Sequence, residues 1–245
     1  MSGIIQATWS APKQVRALCT MRQGGYSKVP YDSFNLAAHV GDDASNLKRN
    51  REFLRQSLKL PGEPCWLEQT HSADVVKLDR EDNRKADAAI TSRVDTVAVV
   101  MIADCLPILL CNRAGTEVAA VHAGWHGLVD GVVQAAVEQM ESPANQLLAW
   151  IGPAISQPHF EVGEEVRNKF LHRYTGAGEH FVTNRAEHWL CNLPGLAMDM
   201  LKELGVSEIY NSELCSYTDE AQFFSYRRYN PTGRMASLIW IDSSA

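Results

Sequence analysis

Apolar residues recur along the chain at helical spacing in some stretches and at strand spacing in others, and this mixture predicts both kinds of element. Residues 45–60, "SNLKRNREFLRQSLKL", carry Leu47, Leu54 and Leu58 on one helical stripe behind a Ser45 N-cap. Arg51 falls on the same stripe, where a guanidinium snorkels, pairs with a carboxylate, or reaches an anionic ligand. "TVAVVMIADC" reads as a buried strand from its β-branched content, interrupted by Pro107. Apolar runs then flank "NRAGT", a hairpin signal with Gly at the turn, which sets residues near 106 opposite residues near 121 and brings Cys105 close to His122.

After "AGWHG" the apolar positions Leu128, Val132, Val133, Ala136, Val137 and Met140 form one helical face. The glycines before it leave backbone N–H groups at the helix start, a generic anion site. Further on, "LLAWIG", "SEIYNS" and "ASLIWID" read as strands, and "GEEVRNKFLHRY" and "LPGLAMDMLKELG" as helices. The predicted class is α+β with a substantial mixed sheet. Residues 20–43 are rich in Gly, Asn, Asp and Pro and read as turns or a long loop, while "CWLEQTHSADVVKLD" reads as short extended pieces around a bend carrying Thr70 and His71.

Composition narrows the function classes. The chain has 245 residues, 45% hydrophobic and 21% charged, with a formal net charge of −6 whose signs are mixed along the sequence. That balance lacks the basic face a general nucleic-acid binder needs. No linker divides the chain, so 1–245 reads as a single catalytic domain. Without a secretory signal or a membrane-length apolar run, the expected address is cytoplasmic. The six Cys show no CxxC spacing and are expected to be reduced.

His71, Cys105 and His122 supply imidazole and thiolate donors and leave a fourth position open, the pattern of a catalytic zinc site. Spacing alone leaves other readings open: a small buried Cys beside ordinary His, or Cys105 as a nucleophile with His122 as its base. Copper is possible at such donors, but eight His without any His-x-His pair cannot assemble a multicopper oxidase cluster.

The motifs "RQGGYS", "FNLAAHVGD", "WLEQTHSADV", "ADCLPILLCN", "VAAVHAGWHG", "WIGPAI", "FEVGEEV" and "FFSYRR" resemble the YfiH family, from about residue 20 to the C-terminus. Its members have carried the names polyphenol oxidase and laccase and are described as zinc-dependent purine nucleoside phosphorylases with adenosine deaminase activity. The resemblance implies that His71, Cys105 and His122 are metal ligands. It implies an α/β/β/α-like sandwich of mixed sheets flanked by helices, similar to the catalytic domain of cytotoxic necrotizing factors. That domain's Cys-His deamidating pair keeps the amidohydrolase alternative in play, on a peptide-like or cell-wall precursor substrate.

One departure concerns the family's usual "HAGWRG", which here carries His126 in place of Arg. Anion-holding work then falls to His126, to Arg51, or to Arg227 or Arg228 of "FFSYRR". Asn35 and the amides of residues 124–127 are further candidates for phosphate or ribose contacts. Gln69 or Asp104 could orient a ligand or move a proton. The expected partners are a purine nucleoside, such as adenosine, inosine, guanosine or methylthioadenosine, and phosphate.

Overall fold

The computed structural model describes residues 3–244; Met1, Ser2 and Ala245, the ends of the expected 1–245 domain, lie outside it. A short strand β1 (Ile4–Gln6) pairs antiparallel with β2 (Val15–Thr20). The long loop that follows leads to helix α1 (Ala44–Leu58). Its N-cap is Asp43 rather than Ser45, because the Asp43 carboxylate accepts from the Asn46 N–H at 2.9 Å. Lys59 ends the helix in the left-handed conformation, its N–H bonding back to the last turn.

The extended pieces expected around His71 reduce to isolated bridges at Cys65 and Glu68 and the short strand β3 (Val75–Lys77). Next come β4 (Ala88–Thr91), β5 (Ala98–Ile102), β6 (Leu106–Asn112) and β7 (Val118–Ala123). The predicted interruption at Pro107 lies earlier, at residues 103–105, and Pro107 belongs to β6. Its carbonyl accepts from Gly152 N at 2.9 Å at the very end of the ladder, where the missing N–H costs least. The β6–β7 hairpin forms in a slightly shifted register, with Leu106 opposite Ala123 and Pro107 opposite His122.

The helical face after residue 124 is split into α2 (Trp125–Asp130) and α3 (Val132–Gln139) by Gly131, whose φ of 97° caps the first and opens the second. Strand β8 (Leu147–Ile151), β9 (Glu161–Gly163), α4 (Glu164–Arg173), β10 (Phe181–Arg185), β11 (His188–Cys191), α5 (Leu193–Glu203), β12 (Glu208–Asn211) and β13 (Met235–Ile241) complete the order.

The strands form a six-stranded sheet, β12-β8-β6-β7-β4-β3, a four-stranded sheet, β1-β2-β13-β5, and a small sheet, β10-β11-β9. Strand alternation then builds the layers. Leu106, Ile108 and Leu110 of β6 face Leu128, Val132, Val133 and Leu196 of the helices. Leu109 and Cys111 face Val100 and Ile102 of the four-stranded sheet. The outer face of that sheet, including Val99 and Leu238, is covered by Leu54 of α1. The result is helix, sheet, sheet, helices: the α/β/β/α sandwich expected. Strands buried on both faces explain the near-continuous apolar runs of β5, β6 and β8. No helix among the described residues is long and apolar enough to cross a membrane.

Candidate metal centre

Each donor arrives from a different irregularity at one end of the sandwich. His71 sits in the bend before β3 with φ of 61°. Cys105 follows Asp104, whose φ of 95° turns the chain from β5 into β6. Such backbone costs about 1–3 kcal/mol and persists only where neighbours over-determine it. At Asp104 they do: Oδ1 accepts from Ser216 Oγ at 2.6 Å, and Oδ2 from Ser225 Oγ at 3.0 Å and Arg227 N at 2.7 Å. His122 lies near the end of β7, opposite Pro107.

The donor atoms of His71, Cys105 and His122 all lie within 4.8 Å of one another, and Cys105 Sγ is 3.8 Å from His71 Nε2. Bond lengths of about 2.0–2.3 Å in a tetrahedral zinc site require donor separations of roughly 3.3–3.6 Å. Small side-chain rotations close the difference, so the residues fit a metal. Gly124 makes this packing possible: a Cβ there would meet His71 Cδ2 at 2.8 Å and Cys105 Sγ at 3.0 Å. A Cβ on Gly127 would meet the Ser72 carbonyl at 2.8 Å.

The group that organises the cluster is Asp87, fully buried at the entrance to β4. Its Oδ1 accepts from His122 Nδ1 at 2.8 Å and from His71 N at 3.0 Å. Its Oδ2 accepts from Thr70 N at 3.0 Å, Ser72 N at 2.7 Å and Ser72 Oγ at 2.9 Å. Burial opposes the charge, but the bonds from His122, Ser72 and Thr70 outweigh it and bring Asp87 down to about 2. With Nδ1 committed to Asp87, His122 turns Nε2 toward Cys105 and His71, the carboxylate–histidine arrangement common behind metal ligands. Burial raises the Cys105 thiol, yet the adjacent imidazoles more than compensate and hold it at about 6. His122 moves oppositely: burial lowers it, and Cys105 and Asp87 push it up to about 9.

The cluster lines a cavity of about 820 Å³. Met101, Ile155 and Phe160 give it apolar walls, and Gln69, Arg227 and Arg234 polar ones. Gln69 is bonded at both ends of its amide to the Met101 backbone, at 2.8 and 2.7 Å. Arg227 donates to the Glu161 carbonyl at 2.9 Å and lies over the Phe160 ring. His126 is exposed, stacks on Trp125 at 3.5 Å, and stands outside the donor cluster.

Other candidates are placed elsewhere. Arg51 forks onto the Leu36 carbonyl at 3.1 and 2.8 Å, stacks on Trp66, and borders a separate pocket. Arg228 is spent on the carbonyls of Ser216, Tyr217 and Phe223. Asn35 is buried and bonds Ala37, Asp42 and the Arg234 backbone N–H. Sequence reasoning overlooked Asp87 and Arg234. A lone acid inside "KADAAIT" was the available signal for the first; nothing local marked the second.

A family model described as multi-copper polyphenol oxidoreductase laccase matches residues 16–242. The chain belongs to this family. The chain is similar to a Shigella flexneri protein named purine nucleoside phosphorylase YfiH, 46% identical over 98% of this chain and 100% of the relative. A Haemophilus influenzae purine nucleoside phosphorylase is 44% identical over 97% and 99% of the two chains. Among solved structures, a Neisseria meningitidis protein of family DUF152 superposes with a TM-score of 0.95 at 42% identity, covering 99% of this chain and all of the other. The Bacillus licheniformis protein YfiH gives 0.89 at 27% identity, covering 94% and 93%. The family's "multi-copper" description sits apart from the geometry: among the described residues, His71, Cys105 and His122 are the one cluster able to hold a metal.

Proposed function

We propose that this chain is a zinc-dependent purine nucleoside phosphorylase, a single catalytic domain that also deaminates adenosine. The observation that carries the reading is an open cluster of His71, Cys105 and His122 on the wall of a nucleoside-sized cavity. Full-length relatives named purine nucleoside phosphorylase support the choice of substrate. The reading sets the enzyme in the cytoplasm, where its six free thiols stay reduced.

His71 Nε2, Cys105 Sγ and His122 Nε2 would hold the zinc. When bound, zinc supplies Lewis-acid polarisation of an oxygen at its remaining position. Asp87 keeps the proton of His122 on Nδ1, leaving Nε2 its lone pair. In phosphorolysis a phosphate oxygen bonds to ribose C1′ as the C1′–N9 bond breaks. The bonding pair leaves with the purine, which takes up a proton. Phe160, Ile155 and Met101 offer apolar surface to the base and exclude water from it. Arg227, Gln69 and His126 border the space where ribose and phosphate must sit, while Asn35 and Arg51 brace the loop behind it.

The test is metal analysis of protein purified without added metal or chelator, beside chromatography of inosine and adenosine with and without phosphate. Stoichiometric zinc and phosphate-dependent base release are expected. Activity that follows bound copper and oxidises phenols would overturn the reading.

A second reading is favoured by one relationship: Cys105, His122 and Asp87 stand in the order nucleophile, base and orienting carboxylate. Under it the protein is a Cys-His amidohydrolase on a peptide-like substrate. A metal-free protein that turns over no nucleoside and is inactivated by iodoacetamide would select it. His71 beside the thiol weighs toward the metal, since a triad has no use for a second imidazole there.

A further inference from the structure

Two arginines line the cavity, Arg227 exposed and Arg234 half-buried. Arg51 and Arg228 are consumed by backbone carbonyls, and the arginines in ion pairs are Arg16, Arg22, Arg80, Arg113 and Arg185. Arg234 forms no ion pair among the described residues, although burial holds its pKa below the ordinary value. Its Nη1 alone is engaged, on the carbonyls of Thr232 at 2.9 Å and Gly233 at 3.0 Å, while its own N–H donates to Asn35 Oδ1 at 3.0 Å. Those bonds clamp the residue at its root. They leave Nε and Nη2 without a partner among the described residues, on a side chain that lines the cavity, with the Tyr226 ring 5.6 Å from Cζ.

A partly desolvated guanidinium without a counter-charge is costly unless an anion completes it. No carboxylate pairs with it directly: Asp104, the one lining carboxylate, is bonded to Ser216, Ser225 and Arg227 N, and Asp104 and the Cys105 sulfur act on Arg234 only across the cavity. Arg227 and His39 border the same space, so hydrogen-bond donors gather in the cavity beside Arg234. A planar fork suits the paired oxygens of a tetrahedral phosphate better than a point charge does.

We propose that Arg234, clamped by Asn35 and the carbonyls of residues 232 and 233, is the phosphate-holding residue of this cavity, serving inorganic phosphate as co-substrate. The assignment rests on the phosphorylase reading above. It gives the "FNLAAHVGD" stretch a physical task, because Asn35 fixes the backbone from which Arg234 reaches the site.

The experiment uses the full zinc-loaded chain and the variants Arg234→Gln and Arg234→Lys. Calorimetric titration with inorganic phosphate alone reads the subsite without turnover. Inosine phosphorolysis then separates the KM for phosphate from the KM for nucleoside. Loss of the fork is expected to weaken phosphate binding and raise its KM by at least about tenfold, with the inosine KM moving less than about twofold. Lys should recover part of the loss, and bound zinc should stay the same. Equal phosphate affinity in wild type and variants overturns the assignment. So does a variant that loses affinity for AMP but keeps it for inorganic phosphate, since Arg234 would then hold a nucleotide's phosphate. If Arg234→Gln fails to fold, Arg234→Lys is read by the same criteria. Wild type that binds phosphate through Arg234 but releases no base would sink the phosphorylase reading and leave the subsite standing.

Discussion

The Nδ1–H of His122 donates to Asp87 Oδ1 over 2.8 Å, and the same carboxylate gathers the backbone N–H groups of Thr70, His71 and Ser72. One buried acid therefore sets the ring of one donor and the backbone of another. This coupling explains how a bend after residue 69 and the end of β7 arrive at a common point.

Replacing Asp87 by Asn removes the charge and forces an amide N–H into a pocket built from donors. The expected outcome is a loss of about 10–100-fold in zinc affinity, measured by competition with a chromogenic chelator. Unchanged affinity would show that His122 needs no partner.

Acid should expose the same residue through stability. Asp87 is depressed from 3.8 to about 2 in the folded chain. A depressed carboxylate contributes stability that is fully present above its unfolded pKa and is lost as pH falls through its folded pKa. In metal-free protein the contribution is about 2 kcal/mol at neutral pH, lost between about pH 4 and pH 2. Urea midpoints for wild type and Asp87→Asn should converge across that window; a constant gap down to its lower end would contradict the assignment.

Chelator-treated protein should react with iodoacetamide first at Cys105. Burial pushes Cys19, Cys111 and Cys191 up to about 12, whereas Cys105 is held at about 6 by its imidazole neighbours. Peptide mass spectrometry should find the label at Cys105 and should find it suppressed when zinc is restored. Labelling that ignores zinc would remove Cys105 from the ligand set.

Gly124→Ala places a methyl group against both His71 and Cys105. Displacing donors by a fraction of an ångström is expected to cut activity roughly 10-fold to 100-fold. The melting temperature should change little, since α2 starts regardless of that side chain. Full activity would mean the donors tolerate rearrangement.

Arg51→Ala should act on stability rather than on substrate. Its guanidinium caps the Leu36 carbonyl and covers Trp66, contacts together worth about 1–3 kcal/mol. A raised KM for phosphate, with stability intact, would return Arg51 to the binding site.

Periodicity carried much of the fold. The apolar stripes of α1, α3 and α5 and the doubly buried runs of β5, β6 and β8 are local patterns, and the Gly115 turn brought β6 and β7 together within one continuous stretch. The small β9–β11 sheet escaped because its strands are short and exposed along much of β10, which leaves little apolar alternation to read. The pairing of β2 with β13 joins residues near the two ends of the chain. No local pattern encodes a partner at that separation.

The sequence by itself determined the layered α+β class and, through a long ordered set of motifs, the family and the identity of His71, Cys105 and His122 as a group. Only the tertiary structure decided which polar residues serve that group. Asp87 and Arg234 are distant in sequence from the residues they face, and hydrogen bonds act across space without leaving a period in the chain. Arg51 and Arg234 look alike as letters. Position separates them: the fork of Arg51 is spent on the Leu36 carbonyl and Trp66, while Arg234 binds its carbonyls through Nη1 and lines the cavity.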